Sequence, residues 1–263
     1  MSERMNPLVR ANAVNLINKY FFESPLELDL ENLLYAEGLF LMEERLDNCE
    51  GKIIFDNQNG IITINTENKD VKQRRFTIAH EMGHFFNERN TSSINGHISY
   101  RCSYNELYGV NRRYKREGEA NQFAAELLMY DKWFKEFFNG KTLSLSVLQS
   151  AVEYFNVSLS AISFRYAEIG NYPAAVVVSK DRIIKWSIIN KEFPFKYIPW
   201  NTNVSNLSYV YDIFEGKDYP KDAEDIPIEA WFSHCNNYTK HKTVFELNIP
   251  MKNYNTVLTL LWL

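Results

Sequence analysis

The sequence predicts an α+β protein in three parts. A mixed domain covers 1–140, a helical pair covers 141–170, and a smaller α+β domain covers 171–263. Three observations carry this. Apolar residues recur at helical spacing in several separate blocks. Short β-branched and aromatic runs flank turn-forming clusters between those blocks. Beyond Pro173 the chain changes from helix-rich to strand-rich. No internal repeat or low-complexity segment is visible.

The elements follow in order. Leu8, Val9, Ala11, Val14, Leu16, Ile17, Tyr20 and Phe21 space apolar groups for an amphipathic helix over 8–22. Leu28 to Leu39 suggests a second helix ending near Gly38, after which Leu39, Leu41 and Met42 lead into a polar stretch. Lys52–Phe55 and Ile61–Asn65 read as strands. Asp56-Asn57-Gln58-Asn59-Gly60 between them is turn chemistry, so a hairpin is expected. Ile61–Asn65 is also a candidate sheet edge for aligning an extended peptide. Residues 75–89 read as a helix, 90–116 as a long polar loop with room for a short strand, and 117–138 as another helix. Helices over 146–155 and 158–169 are joined by Asn156-Val157-Ser158 and closed by Gly170, a helix-turn-helix-like arrangement. Ala175–Val178, Ile183–Ile189, Val244–Ile249 and Val257–Trp262 read as strands, with Lys180-Asp181-Arg182 as a hairpin turn.

Composition excludes several classes. The 263 residues are 45% hydrophobic and 24% charged, which is globular and neither disordered nor collagenous. The net charge of -4 lacks the basic excess of a dedicated nucleic-acid binder. No apolar run approaches the ~18–20 residues of a membrane span. Met1 to Ala13 is polar and lacks a signal-peptide core. Cys49, Cys102 and Cys235 are scattered and odd in number, which argues for a reducing compartment. The expectation is a soluble cytoplasmic protein.

The chemistry-bearing motif is His80-Glu81-Met82-Gly83-His84. On a helix, residues four apart share a face, so the two imidazoles can bind one metal ion, zinc by default. Glu81 lies about 100° around the helix, placed to reach a water on the metal without ligating. Gly83 costs such a helix about 1 kcal/mol against Ala, which asks for close backbone packing in return. A catalytic zinc site needs a third protein ligand. Glu117 and Glu119 are the candidates. Ala120, Phe123, Ala124, Leu127 and Leu128 define the buried stripe of their helix, and Glu117 falls closer to it than Glu119. Asn121 sits over Glu117 on the same face and is a candidate supporting residue.

The block Arg75-Phe76-Thr77-Ile78-Ala79-His80-Glu81-Met82-Gly83-His84, followed by Glu117-x-x-Ala120-Asn121-x-Phe123-Ala124-Ala125-Glu126-Leu127-Leu128-Met129, resembles the ImmA/IrrE family of metallo-endopeptidases over residues 25–170. The terminal Leu258-Thr259-Leu260-Leu261-Trp262-Leu263 is also similar to longer members. The resemblance implies a zincin-like, gluzincin-type metallopeptidase domain. In it His80, His84 and Glu117 hold one Zn2+ and Glu81 is the general base. It implies cleavage of a specific protein partner, a helix-turn-helix transcriptional repressor or an antitoxin-like protein. Tyr130 departs from the family's Pro after Leu-Leu-Met, which bears on how the helix ends and not on the metal. The alternative is a non-proteolytic interaction module that retains the fold, although a structural metal site has no use for Glu81.

Other features stay open at this level. The second helix of the 146–170 pair carries one Arg, Arg165, so it is a poor phosphate binder and DNA contact is not expected. Arg112-Arg113-Tyr114-Lys115-Arg116 and Lys72-Gln73-Arg74-Arg75 are basic runs beside the motifs. They read either as solvated surface or as a means of attracting an acidic substrate segment. His97, Tyr100 and Tyr114 are candidates to stabilise an oxyanion. His234, Cys235 and His241 match no standard zinc spacing. Residues 171–263 carry ten Lys/Arg and ten Asp/Glu with no catalytic signature, and read as a regulatory or interaction domain.

Overall fold

The structure is a computed structural model and describes residues 6–89, 98–102, 112–232, 242–251 and 255–263. The chain divides into two units, each treated by itself. The first comprises Glu3–Trp133 with Glu153–Ser158, and the second comprises Phe134–Val152 with Leu159–Leu263.

The first unit sets helices on one four-stranded sheet. Its strands are β1 (Leu39–Glu44), β2 (Gly51–Phe55), β3 (Gly60–Asn65) and β4 (Ile98–Cys102), in the order β1-β3-β2-β4. The expected hairpin is present, with β2 antiparallel to β3 in the register Ile53↔Ile62. Asp56 closes its turn by accepting from the backbone of Gln58 and Asn59, both at 2.8 Å. The sheet departs from expectation in two ways. Leu39 to Glu44 is a strand, parallel to β3 from Leu39↔Gly60 to Glu44↔Asn65. Its alternation is short and only Leu39 is fully buried, so its pattern is weak in sequence. Consequently β3 lies inside the sheet and not at an edge, and the end strands are β1 and β4.

Leu39, Ile53, Phe55, Ile62 and Ile64 form the buried face. On it lies α3 (Val71–Glu88), capped by the Asp70 carboxylate, which accepts from Lys72 N and Gln73 N. Phe55 meets Phe85 edge-on at 5.6 Å. Beyond α3 comes α4 (Arg112–Leu128), whose Phe123 stacks on Phe86 at 5.5 Å. The other helices of this unit are α1 (Pro7–Lys19) and α2 (Leu30–Ala36). Arg10 of α1 binds Glu126 and Asp131, and Asn12 donates to the Phe86 carbonyl.

The segment expected as one helix over 117–138 is two. Between α4 and α5 (Asp131–Phe138) the chain breaks at Met129–Tyr130. Asp131 opens α5, where a carboxylate suits the helix N-terminus, and its backbone N–H points at Glu126. At the other end α4 begins at Arg112, so the basic run expected in a loop forms its first turns.

In the second unit the sheet order is β6-β5-β9-β8-β7, all antiparallel. The strands are β5 (Ala174–Lys180), β6 (Ile183–Ile189), β7 (Glu224–Pro227), β8 (Thr243–Met251) and β9 (Thr256–Trp262). The four strands expected from sequence are there. The short β7 and α8 (Tyr209–Phe214) have no clear sequence pattern and were not expected. Helices α6 (Leu145–Phe155) and α7 (Leu159–Ile169) form, and α7 is tied to the sheet by Phe164 on Trp186 and by Asn190 donating to the Ala167 carbonyl. Glu246 of β8 is 1% exposed. It accepts from Ser208 Oγ, Tyr209 N, Trp231 Nε1 and Asn248 Nδ2, so both oxygens are saturated and the carboxylate joins α8 to the sheet.

Gly83 carries the α3–α4 contact. A Cβ there would stand 2.9 Å from both Ala120 Cα and the Ala120 carbonyl oxygen. Both atoms are backbone, so they cannot rotate away. Gly83→Ala is expected to cost about 1–3 kcal/mol of stability, the usual range for overpacking, read as a lower urea midpoint at unchanged m-value.

Candidate metal centre

Helix periodicity puts His80 and His84 on one face of α3, their ring centroids 4.9 Å apart. The close approach at Gly83 brings the first turns of α4 against that face. Glu117 enters between the rings, with Oε2 3.1 Å from His80 Nε2 and Oε1 3.5 Å from His84 Nε2. All three side chains are buried, and one ligand atom from each lies within 4.8 Å of the others. Glu119 goes elsewhere, accepting from Asn6 Nδ2 at 2.9 Å. Of the two carboxylates considered, the fold brings Glu117 to the histidines.

Further residues orient the imidazoles. Asn121 Oδ1 lies 2.8 Å from His80 Nδ1. With Nδ1–H donated to Asn121, Nε2 is the ring nitrogen that faces Glu117 Oε2 and the one placed to ligate a metal. Asn121 thus supports a histidine rather than Glu117. Glu88 Oε1 stands 3.6 Å from His84 Nδ1, and its other oxygen faces Arg116 at 3.5 Å. Sequence reasoning missed Glu88, although its position four residues after His84 places it on the same face.

The electrostatics are dominated by buried carboxylates. Burial opposes charge on His84, but Glu117, Glu88 and Glu81 outweigh it and raise its pKa from 6.5 to about 9. Burial likewise opposes charge on Glu117, and the two imidazoles hold it well below the usual carboxylate range. Two imidazole nitrogens and one carboxylate suit zinc, and three protein ligands are the number that leaves a coordination position open. The residues present therefore fit the group. Glu81 is fully buried on the same helix, its carboxylate packed against Gly51 of β2.

The basic runs are largely engaged within the chain. Lys72 pairs with Glu153, Arg74 with Glu31 and Glu43, Lys115 with Glu119, and Arg116 with Glu88. Arg75 donates to the Leu28 carbonyl. The side chains of Arg112, Arg113, Tyr100 and Tyr114 lie outside the described residues, as do His97, His234, Cys235 and His241.

The first unit is thus a mixed helix-and-sheet domain with a buried two-histidine, one-glutamate cluster able to hold a metal ion. Residues 36–166 match the model of the Peptidase M78 family, described as the IrrE N-terminal-like domain. Through this domain the chain belongs to that family. No curated protein matches the chain. Among solved structures, a Mycobacterium tuberculosis transcriptional regulator is similar, with a TM-score of 0.61 at 14% identity over 97% of this chain and 76% of that one. At that identity the likeness is one of fold.

Two measurements check this centre. Asn121→Ala is expected to weaken zinc binding about 10–100-fold in chelator competition, with Asn121→Asp close to wild type. Zinc affinity should also fall with acidification. The His84 proton is bound below about 9 in the metal-free protein and must leave when the imidazole ligates. Apparent affinity is thus expected to drop about tenfold per pH unit below that value.

Proposed function

We propose that this protein is a zinc-dependent endopeptidase acting on a specific protein in the cytoplasm. The observation that carries the reading is the buried His80–His84–Glu117 cluster with Glu81 on the same helix. His80, His84 and Glu117 would hold a zinc ion, which would supply Lewis acidity and lower the pKa of a water toward about 7. Glu81 takes the proton of the attacking water and delivers it to the departing amine nitrogen. Asn121 and Glu88 keep the imidazoles aimed while charge develops.

The proposed substrate is a helix-turn-helix repressor or an antitoxin-like protein. What supports this is the resemblance to the ImmA/IrrE family, whose N-terminal-like domain the chain carries. Direct DNA binding by α6 and α7 is not proposed. Arg165, the one cation of α7, is 1% exposed and lies 3.5 Å from Glu168, a poor arrangement for phosphate. No helix among the described residues is long and apolar enough to cross a membrane.

The test uses helix-turn-helix proteins from the same genome and a quenched-fluorescent peptide library. Glu81→Gln is expected to keep zinc affinity and the unfolding midpoint yet lose cleavage by at least about 100-fold, the scale of positioned acid–base catalysis. Glu117→Ala should lose both zinc and cleavage. Cleavage by Glu81→Gln at the wild-type rate would falsify the general-base role. A wild-type protein that binds zinc and a repressor but cuts nothing would favour the interaction module.

A further inference from the structure

The glycine at position 51 has a buried, specific neighbour. A Cβ built on Gly51 would stand 2.8 Å from Glu81 Oε1 and 2.7 Å from Thr77 Cγ2. Ordinary contact for such a pair begins near 3.4 Å. Backbone conformation does not explain the glycine. Gly51 is not among the residues with positive φ, so an L side chain meets no backbone strain there. What the position lacks is room, and the room is taken by the Thr77 methyl and the carboxylate of Glu81.

The strand cannot retreat to make space. Gly51 is registered against Ile64 of β3 on one side and Cys102 of β4 on the other. The segment leading into it is braced by Asn65, whose Nδ2 donates to the carbonyls of Leu46 and Cys49 and whose backbone N–H donates to the Glu50 carbonyl. Thr77, one turn before Glu81, is fixed by its Oγ1 donating to the Gln73 carbonyl, which leaves its methyl toward Gly51. Between a pinned strand and a fixed threonine, the part able to move is the end of the Glu81 side chain. At Gly83, by contrast, the obstructing atoms are mostly backbone.

We propose that Gly51 is a positioning residue: the bare backbone of β2 is the seat against which the Glu81 carboxylate is held for proton transfer. The proposal rests on the reading of Glu81 as general base. It differs from that reading in locating the determinant of the base's position on the sheet, not on the metal-binding helices. Any side chain at 51 displaces the base while leaving His80, His84 and Glu117 untouched. Catalysis is sensitive to displacements of this size, since a misplacement of about 1 Å can cost about 100-fold.

The experiment compares wild type, Gly51→Ala, Gly51→Ala/Thr77→Ser and Glu81→Gln. Crystal structures of the metal-free proteins, zinc affinity by chelator competition, and kcat and KM on one quenched peptide cut by wild type are the readouts. In Gly51→Ala the carboxylate is expected to withdraw from the 2.8 Å position to at least 3.4 Å from the new methyl. Zinc affinity should stay within about twofold and KM unchanged, while kcat falls about 10–100-fold. Thr77→Ser keeps the bond to Gln73 and removes the crowding methyl, so the double variant should recover several-fold of the lost kcat. The proposal is overturned if Gly51→Ala retains wild-type kcat, fails to fold, loses zinc in step with activity, or gains nothing from Thr77→Ser. Glu81→Gln separates the two readings. If it still cleaves, the base assignment has failed; if it is inactive while Gly51→Ala is wild-type, only the role of Gly51 has.

Discussion

The close crossing of α3 and α4 at Gly83 is the constraint on which the first unit depends. Each helix alone carries an incomplete set of donor atoms: two imidazoles on one, a carboxylate on the other. They meet because Ala120 can pack its backbone directly on Gly83. The stacked Phe86 and Phe123 hold the same crossing one turn further along. Packing and chemistry are therefore the same contact, and the apolar stripe of α4 determines which of its carboxylates is carried inward.

Burying ionisable groups this densely has an electrostatic consequence. A buried charge is costly unless it is paired and hydrogen-bonded. His84 is surrounded by Glu117, Glu88 and Glu81, and those carboxylates outweigh the burial that would otherwise neutralise it. The same carboxylates that favour a cationic imidazole also favour a divalent cation at the cluster. Arg116 extends the pattern outward by facing Glu88, which turns part of a basic run toward the chain's own centre. The second unit handles a buried carboxylate differently: Glu246 is met only by neutral donors, and burial raises its pKa. Its hydrogen-bonding capacity is used within the fold, as expected of a structural group.

The sheet of the first unit contributes more than a wall for α3. Its buried face supplies Phe55 to the helix, and its second strand begins with a residue whose missing side chain makes space for Glu81. Asn65 links these roles, since its amide holds the loop that delivers Gly51 into register. A residue distant in sequence from the motif is thereby coupled to the geometry of the motif.

Much of this was legible in the amino-acid sequence. Local periodicity carries the helix that presents His80, Glu81 and His84, because residues four apart share a face whatever lies around them. The Asp56–Gly60 hairpin, the inward bias of Glu117 and the hairpin turning at Lys180-Asp181-Arg182 are likewise local or short-range patterns. Tertiary structure alone decided the rest. It made Leu39–Glu44 a strand, because that segment gains its hydrogen bonds only from β3, and so placed β3 inside the sheet. It ended α4 before Tyr130, where the apolar pattern alone continues. It directed Asn121 to His80 and Glu88 to His84, and it set Gly51 against Glu81. Each of these depends on a partner supplied by another element, and a one-dimensional pattern records the spacing within an element but not the distance between two.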